Sequence, residues 1–144
     1  MRTINSYFSV MARLSAIHFA GKFGQYNIGA GEHKVIDYVC GHPGTNQDEV
    51  STYFRMNKGV TSRMVQSLVK KGFILAVTSE GDKRQRLLFP TEAGTDIFPL
   101  LISSKWEWDQ EITEGVMIPR EELLAALETI ESNMKKRIEQ EKLP

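Results

Sequence analysis

Between Asn57 and Lys71 the chain carries the cations Lys58, Arg63, Lys70 and Lys71, the hydroxyls of Thr61, Ser62 and Ser67, and Gly59, with no acid among them. Cations neutralise phosphates, hydroxyls and amides bond to base edges, and a glycine lets a backbone approach closely. Asn57 is a capping residue, and Gly72 is the residue type that ends a helix in the left-handed conformation, so the spacing predicts a helix between them. Val60, Met64, Leu68 and Val65 recur at helical spacing as an inward face. Lys58, Gly59, Thr61, Ser62 and Arg63 are then expected to point outward. Such an end suits the major groove of a duplex. An ordinary solvated basic helix is the other reading of the same residues.

The neighbouring segments are those that would hold this helix in place. From Phe73 to Thr78 and from Gln85 to Pro90 run β-formers, joined by the turn cluster Ser79-Glu80-Gly81-Asp82-Lys83-Arg84. The tip and returning arm carry Lys83, Arg84 and Arg86. Two strands alone are marginal, so the hairpin must lean on the preceding helices. Upstream, Thr45 to Phe54 reads as a helix whose Asn46 and Glu49 have capping-box form, each side chain reaching the other's backbone amide. Arg55-Met56 is the turn between the two helices, and a further helix near residues 30–40 presents Val35, Ile36 and Val39. A helix pair followed by a basic hairpin is the layout of a winged helix-turn-helix. The predicted class is mainly α with a small β-hairpin wing.

Taken in order, Pro43-Gly44-Thr45-Asn46-Gln47-Asp48-Glu49, Asn57-Lys58-Gly59 through Gly72-Phe73-Ile74, Asp82-Lys83-Arg84 and Thr91-Glu92-Ala93-Gly94 resemble the MarR-type winged-helix regulators of bacteria and archaea. The resemblance implies a homodimer on double-stranded DNA, at a pseudo-palindromic operator, often released by a small aromatic or anionic ligand. It implies DNA contacts at Gln47, Arg55, Asn57, Lys58, Gly59, Thr61, Ser62, Arg63, Lys83, Arg84 and Arg86, with Asp82 orienting Arg84. A local Asp82–Arg84 salt bridge on one strand face is the plainer reading of that pair. The pattern departs at Leu75 and Ala76, where the family often has an acid and an arginine, and at Asn57, where an Asp is common. The first change removes a candidate phosphate contact, while the second keeps the cap.

With 144 residues, 41% hydrophobic and 25% charged, the chain reads as one soluble globular unit with helical appendages. No apolar run approaches the ~20 residues of a membrane span, and the amino-terminal stretch lacks a signal-peptide core. A single cysteine fits a cytoplasmic location. The net charge of zero is unevenly placed. Residues 55–86 hold eight bases against two acids, net +6, whereas residues 92–144 hold twelve acids against six bases. The basic charge therefore coincides with the candidate reading helix and wing, as a DNA-docking face requires.

Both chain ends read as helical. The first helix carries one stripe of Ile4, Tyr7, Phe8, Met11, His18 and Phe19 and another of Val10, Leu14 and Ile17. A helix apolar on two sides needs burial on two sides. A helix from Thr91 to about Ile112 contains Pro99, expected to bend or break it, and a last helix from Pro119 presents Leu123, Leu124, Leu127, Ile130, Met134 and Ile138. Their surplus apolar surface suggests a dimerisation region of residues 1–28 and 91–144 around a DNA-binding domain of residues 29–90, with closure of a monomeric core as the other reading. Arg13, the one charge between Ile4 and Ala20, has two readings: a salt bridge, or the anion-accepting wall of an effector cleft. Cys40 reads as a small packed side chain, and His18, His33 and His42 are too scattered for a metal site. No catalytic constellation or cofactor motif is evident. The functional expectation is a dimeric, ligand-responsive regulator, of repressor type by family habit, with a winged helix used only for protein assembly as the alternative.

Overall fold

The computed structural model describes residues 1–142. The chain is mainly helical with one antiparallel hairpin: α1 (Ile4–Gly24), α2 (Glu32–Gly41), α3 (Gln47–Phe54), α4 (Lys58–Lys71), β1 (Ile74–Thr78), β2 (Arg86–Pro90), α5 (Glu92–Ile112) and α6 (Arg120–Glu141). It divides into two compact units, Met1–Lys105 and the segment that begins at Trp106.

The core of the first unit is built from Phe19 and Phe23 of α1, Ile28 between α1 and α2, Val35, Ile36 and Val39 of α2, and Val50, Val65, Leu68, Ile74, Leu88 and Leu101. The α4 helix packs on α2, α3 and β1, so the candidate reading helix is held from three sides. The strands pair with Ala76 opposite Leu88, and Thr45 adds an isolated bridge to Leu88. That bridge consists of Leu88 N–H to Thr45 O at 2.7 Å and Gly44 N–H to Leu88 O at 2.8 Å. It ties the wing to the loop that enters α3, which supplies the support a two-stranded hairpin needs.

The start of α5 is locked to the base of the wing. The Thr91 hydroxyl donates to Gly72 O at 2.5 Å and accepts from Gly94 N–H at 3.2 Å, while Thr91 N–H donates to Phe73 O at 3.1 Å. Gly94 is buried, and a Cβ there would overlap the Phe73 carbonyl oxygen. The Thr-Glu-Ala-Gly sequence thus has a mechanical role: one hydroxyl joins two elements, and the missing side chain lets a backbone pass.

Several expectations are corrected. The inward face of α4 is Thr61, Val65 and Leu68, whereas Val60 and Met64 are half-buried. A threonine hydroxyl can be buried cheaply when its own helix accepts its hydrogen bond, and Thr61 Oγ1 donates to Asn57 O at 3.2 Å. Asn46 caps α3 as expected, accepting Glu49 N–H at 2.9 Å, but the Glu49 carboxylate takes the Thr45 hydroxyl at 2.5 Å. Helix α5 runs through Pro99 without a break, although Pro99 supplies no N–H to the Thr95 carbonyl.

The second unit comprises the end of α5, a turn with Gly115 at φ +76°, and α6. The Arg120 guanidinium lies 4.8 Å from the Trp106 ring centroid, and its Nη2 is 2.9 Å from Asp109 Oδ2. No residue of the 22-residue helix α6 is buried. No helix among the described residues is long and apolar enough to cross a membrane.

Candidate nucleic-acid interface

The α4 helix begins where its sequence says it should. Asn57 Oδ1 accepts Gly59 N–H at 2.8 Å, and Gly72 closes the helix at φ +85°. Its exposed first turns carry Lys58, Gly59 and Arg63, with Ser62 half-buried and accepting from Gln66 Nε2 at 3.1 Å. Thr61 belongs to the opposite side: it is fully buried, and its hydroxyl is occupied by the Asn57 carbonyl. Its assignment as an outward contact is therefore corrected. A buried Thr61 still acts on the outward residues by fixing the rotation of the helix that carries them.

Arg55 closes α3 in the left-handed conformation at φ +54°, its N–H donating to the carbonyls of Ser51 and Thr52. A non-glycine residue there costs roughly 1–2 kcal/mol. The exposed Arg55 side chain leaves the turn between the two helices. Gln47, first in α3, is half-buried.

At the wing, Lys83 and Arg84 lie in the turn and Arg86 begins β2, all three exposed. Asp82 and Arg84 were expected on one strand face, but both precede β2. Asp82 Oδ1 accepts the backbone N–H of Arg84 at 3.0 Å, and Asp82 O accepts Gln85 N–H at 3.0 Å. Asp82 therefore orders the turn through its backbone, and the direction of the Arg84 side chain follows from that turn. Arg86 Nη2 donates to Ala76 O at 3.4 Å across the hairpin. Leu75, at the departure noted in the sequence, is exposed.

Between α3 and the wing lies an open cleft of about 420 Å³, lined by Asn46, Gln47, Asp48, Asp82, Arg84, Gln85 and Arg86. Asp48 also pairs with Lys58, its Oδ1 3.5 Å from the Lys58 Nζ. Sequence reading missed Asp48 and Gln85 as cleft residues, because an acid in the first turn of a helix is already explained by the helix dipole.

Behind this face, Glu32 anchors the far end of α4. Burial would raise its carboxyl, but hydrogen bonds from Lys71, Ser67 and the Gly29 amide, with the Lys71 charge, hold it below the usual carboxylate range. Lys71 Nζ sits 2.7 Å from Glu32 Oε2, so the last turn of α4 is clamped to the start of α2.

A second cleft of about 440 Å³ has aromatic walls from Phe19, Tyr38, Tyr53 and Phe54, with His33, Lys34, Asp37 and Lys105. His33 packs against the Phe19 and Phe23 rings, and burial, with the nearby Lys34 and Lys105 charges, pushes it down to about 4 although Asp37 opposes this. Lys105 pairs with Asp37. Arg13 is exposed on α1 and lines neither cleft. Cys40 donates to Gly94 O at 3.6 Å; burial, reinforced by the Asp37 charge, raises its pKa and so disfavours the thiolate. Among the described residues, no group of three or more His, Cys, Asp or Glu could hold a metal.

Residues 26–85, the span of this helix pair and most of the wing, match the sequence model of the MarR family. A MarR transcriptional regulator from Methanosarcina mazei Go1 is 28% identical and superposes with a TM-score of 0.85 over 92% of this chain and 96% of its own. The chain thus resembles the MarR family of transcriptional regulators, in sequence over residues 26–85 and in fold over most of its length. The HTH-type transcriptional regulator YybA of Bacillus subtilis (strain 168), itself uncharacterised, is 24% identical over 74% of this chain and 71% of its own length. A MarR-family regulator from Listeria monocytogenes, solved in complex with a 26mer DNA, shares the fold at TM-score 0.87 and 24% identity, over 95% of this chain and 92% of its own. The likeness in fold to these regulators extends beyond residues 26–85 over most of the chain.

Proposed function

We propose that this chain is a MarR-family regulator that binds double-stranded DNA as a homodimer, with α4 in the major groove and the wing against the adjacent phosphates or minor groove. The observation that carries the reading is the orientation of α4. Its Thr61-Val65-Leu68 face is buried while Lys58, Gly59 and Arg63 are exposed at its amino-terminal end, beside a wing whose Lys83, Arg84 and Arg86 are exposed as well. The Listeria monocytogenes relative solved with a 26mer DNA supports DNA binding by this fold. The assigned contacts are Gln47, Arg55, Asn57, Lys58, Gly59, Ser62, Arg63, Lys83, Arg84 and Arg86.

Dimerisation is supported by apolar surface left in water. In α1, Ile4, Tyr7, Val10, Met11, Leu14 and Ile17 are exposed, and in α6 Leu124, Leu127, Met134 and Ile138 are exposed. A helix of this length with nothing buried is marginal in water, and a second copy is the partner the MarR family offers. Two-fold symmetry then favours a pseudo-palindromic operator, and repression is the mode we assign. The domain bounds that go with this reading are residues 29–90 for the DNA-binding head and residues 1–28 with 91–144 for dimerisation. Ligand release belongs to the same proposal: the aromatic walls, Lys34 and Lys105 of the second cleft suit a small aromatic acid, while Arg13, exposed on α1 outside that cleft, is a separate candidate for an anionic ligand.

The test is selection of bound duplexes from random oligonucleotides by the purified chain, with light scattering on the protein. A selected palindrome with half-sites about one helical turn apart, ~34–36 Å, and a dimeric mass are expected. Absence of any enriched sequence, with binding to a protein partner through the wing instead, would replace this reading by an assembly module.

A further inference from the structure

Asp48 is an acid set among the basic groups of the candidate docking face. It stands in the first turn of α3, lines the cleft that holds Arg84 and Arg86 of the wing, and pairs with Lys58, the first residue of α4. The other acid of that cleft, Asp82, has its carboxylate engaged by the Arg84 amide. Both side chains of the Asp48–Lys58 pair are largely exposed, so the pair contributes little to folding stability. Its position is what gives it a consequence. Helix α4 has no acid in its first turn, and a cation there faces the positive end of the helix dipole. Asp48, from a different helix, supplies the missing negative charge.

We infer that Asp48 is an internal counter-charge that limits attraction of the candidate reading head to backbone phosphates, and so weakens DNA binding by a similar factor on every sequence. The inference rests on the docking mode proposed above. In the free protein Lys58 has a carboxylate beside it. When a duplex arrives, Lys58 must leave Asp48 for a phosphate, and Asp48 is left in the negative field of the backbone. Both effects weaken phosphate contacts on any sequence equally, whereas base contacts by Arg63 or Arg84 are unaffected. The term therefore lowers binding to random DNA without changing which bases are preferred. It also lowers the salt dependence, because a lysine already neutralised by a carboxylate releases fewer counterions from the DNA.

The experiment compares wild type with Asp48→Asn on a random-sequence duplex and on the selected operator, across a salt series. Asparagine keeps the size of aspartate and removes only the charge, including its favourable interaction with the start of the α3 dipole. Asp48→Asn is expected to tighten random-duplex binding about threefold to tenfold per dimer and to steepen the log–log salt slope by about 1–2, with the ranking of operator variants unchanged. The variant Asp48→Asn with Lys58→Ala should bind no more tightly than Lys58→Ala alone. Unchanged or weaker random-duplex binding by Asp48→Asn, together with weakened binding by Lys58→Ala, would overturn the inference while leaving the docking mode intact. If neither Lys58→Ala nor Arg84→Ala weakens binding, the docking mode itself fails. Thermal midpoints within error of wild type confirm that the comparison concerns binding, and Asp48→Ser replaces Asp48→Asn should the latter be less stable.

Discussion

Gly94→Ala separates a local preference from a tertiary constraint. Gly94 lies in the first turn of α5, and replacing a helical glycine by alanine ordinarily stabilises by about 1 kcal/mol. Here the added Cβ meets the backbone carbonyl oxygen of Phe73, with Phe73 C at 3.4 Å and Pro90 Cβ at 3.5 Å. The carbonyl cannot swing aside freely, because Thr91 N–H donates to it at 3.1 Å. Relieving the overlap means moving α5 away from the base of the wing by about an ångström, an overpacking change that costs roughly 3 kcal/mol. Subtracting the propensity gain leaves a net loss of about 2 kcal/mol, or a fall in Tm of about 4–8 °C for a chain of this size. Thermal unfolding at fixed protein concentration measures it, with Gly21→Ala as the control, since a Cβ at Gly21 meets nothing within 4 Å. Gly94→Ala as stable as wild type would refute the argument and show that the Phe73 carbonyl has room to move.

Arg63→Ala and Arg84→Ala should each weaken operator binding by roughly 1–3 kcal/mol if the arginine makes a bidentate base contact, while Lys70→Ala has little effect; titration against the selected operator checks all three. If about half of the eight basic residues in the head touch phosphates, a dimer neutralises ~8, and log affinity should fall with log salt at a slope of roughly −7. A slope shallower than about −3 would move the docking face elsewhere. His33 titrates at about 4 in the folded chain, below its unfolded value, so the unfolded chain binds the extra proton between those two pH values. Stability should rise with pH from about 4 to about 6.5 on this account, by no more than roughly 3 kcal/mol, and His33→Phe should flatten that window in urea titrations. A small aromatic carboxylate at millimolar concentration should weaken operator binding in wild type and much less in Arg13→Leu; equal inhibition removes Arg13 from the effector role.

The elements legible in the sequence were those whose ends carry local chemistry. Asn57 and Gly72 delimit α4 because capping needs only neighbours, and the hairpin strands were visible as β-formers around Gly81. The rotation of α4 was not legible. Val60-Met64 and Val65-Leu68 are both apolar pairs at helical spacing, and only the packing of α2, α3 and β1 decides that Thr61 goes in. Of the residues assigned to the interface, the structure groups Gln47, Arg84 and Arg86 around one cleft and withdraws Thr61 into the core. Contacts between distant positions were invisible for the same reason. Glu32 with Lys71, Asp37 with Lys105, and Thr91 with Gly72 depend on folding, and no periodicity announces them. Asp48 with Lys58 joins two helices across a turn whose geometry depends on Arg55 being left-handed, which is uncommon for arginine.

The division of the chain after Lys105 has a spectroscopic consequence. All four tyrosines, at positions 7, 26, 38 and 53, fall in the first unit, and both tryptophans, Trp106 and Trp108, fall in the second. Tryptophan emission excited at the red edge therefore reports only on the segment beginning at Trp106, where Trp106 lies beneath the Arg120 guanidinium. Tyrosine bands resolved from those of tryptophan by second-derivative absorbance report on the first unit, where Tyr38 packs against His42, Tyr53 and Phe54. Two optical channels thus follow two parts of one unlabelled chain. Coincident transitions in both during denaturation would mark a single cooperative unit, and separated ones would give each part its own free energy.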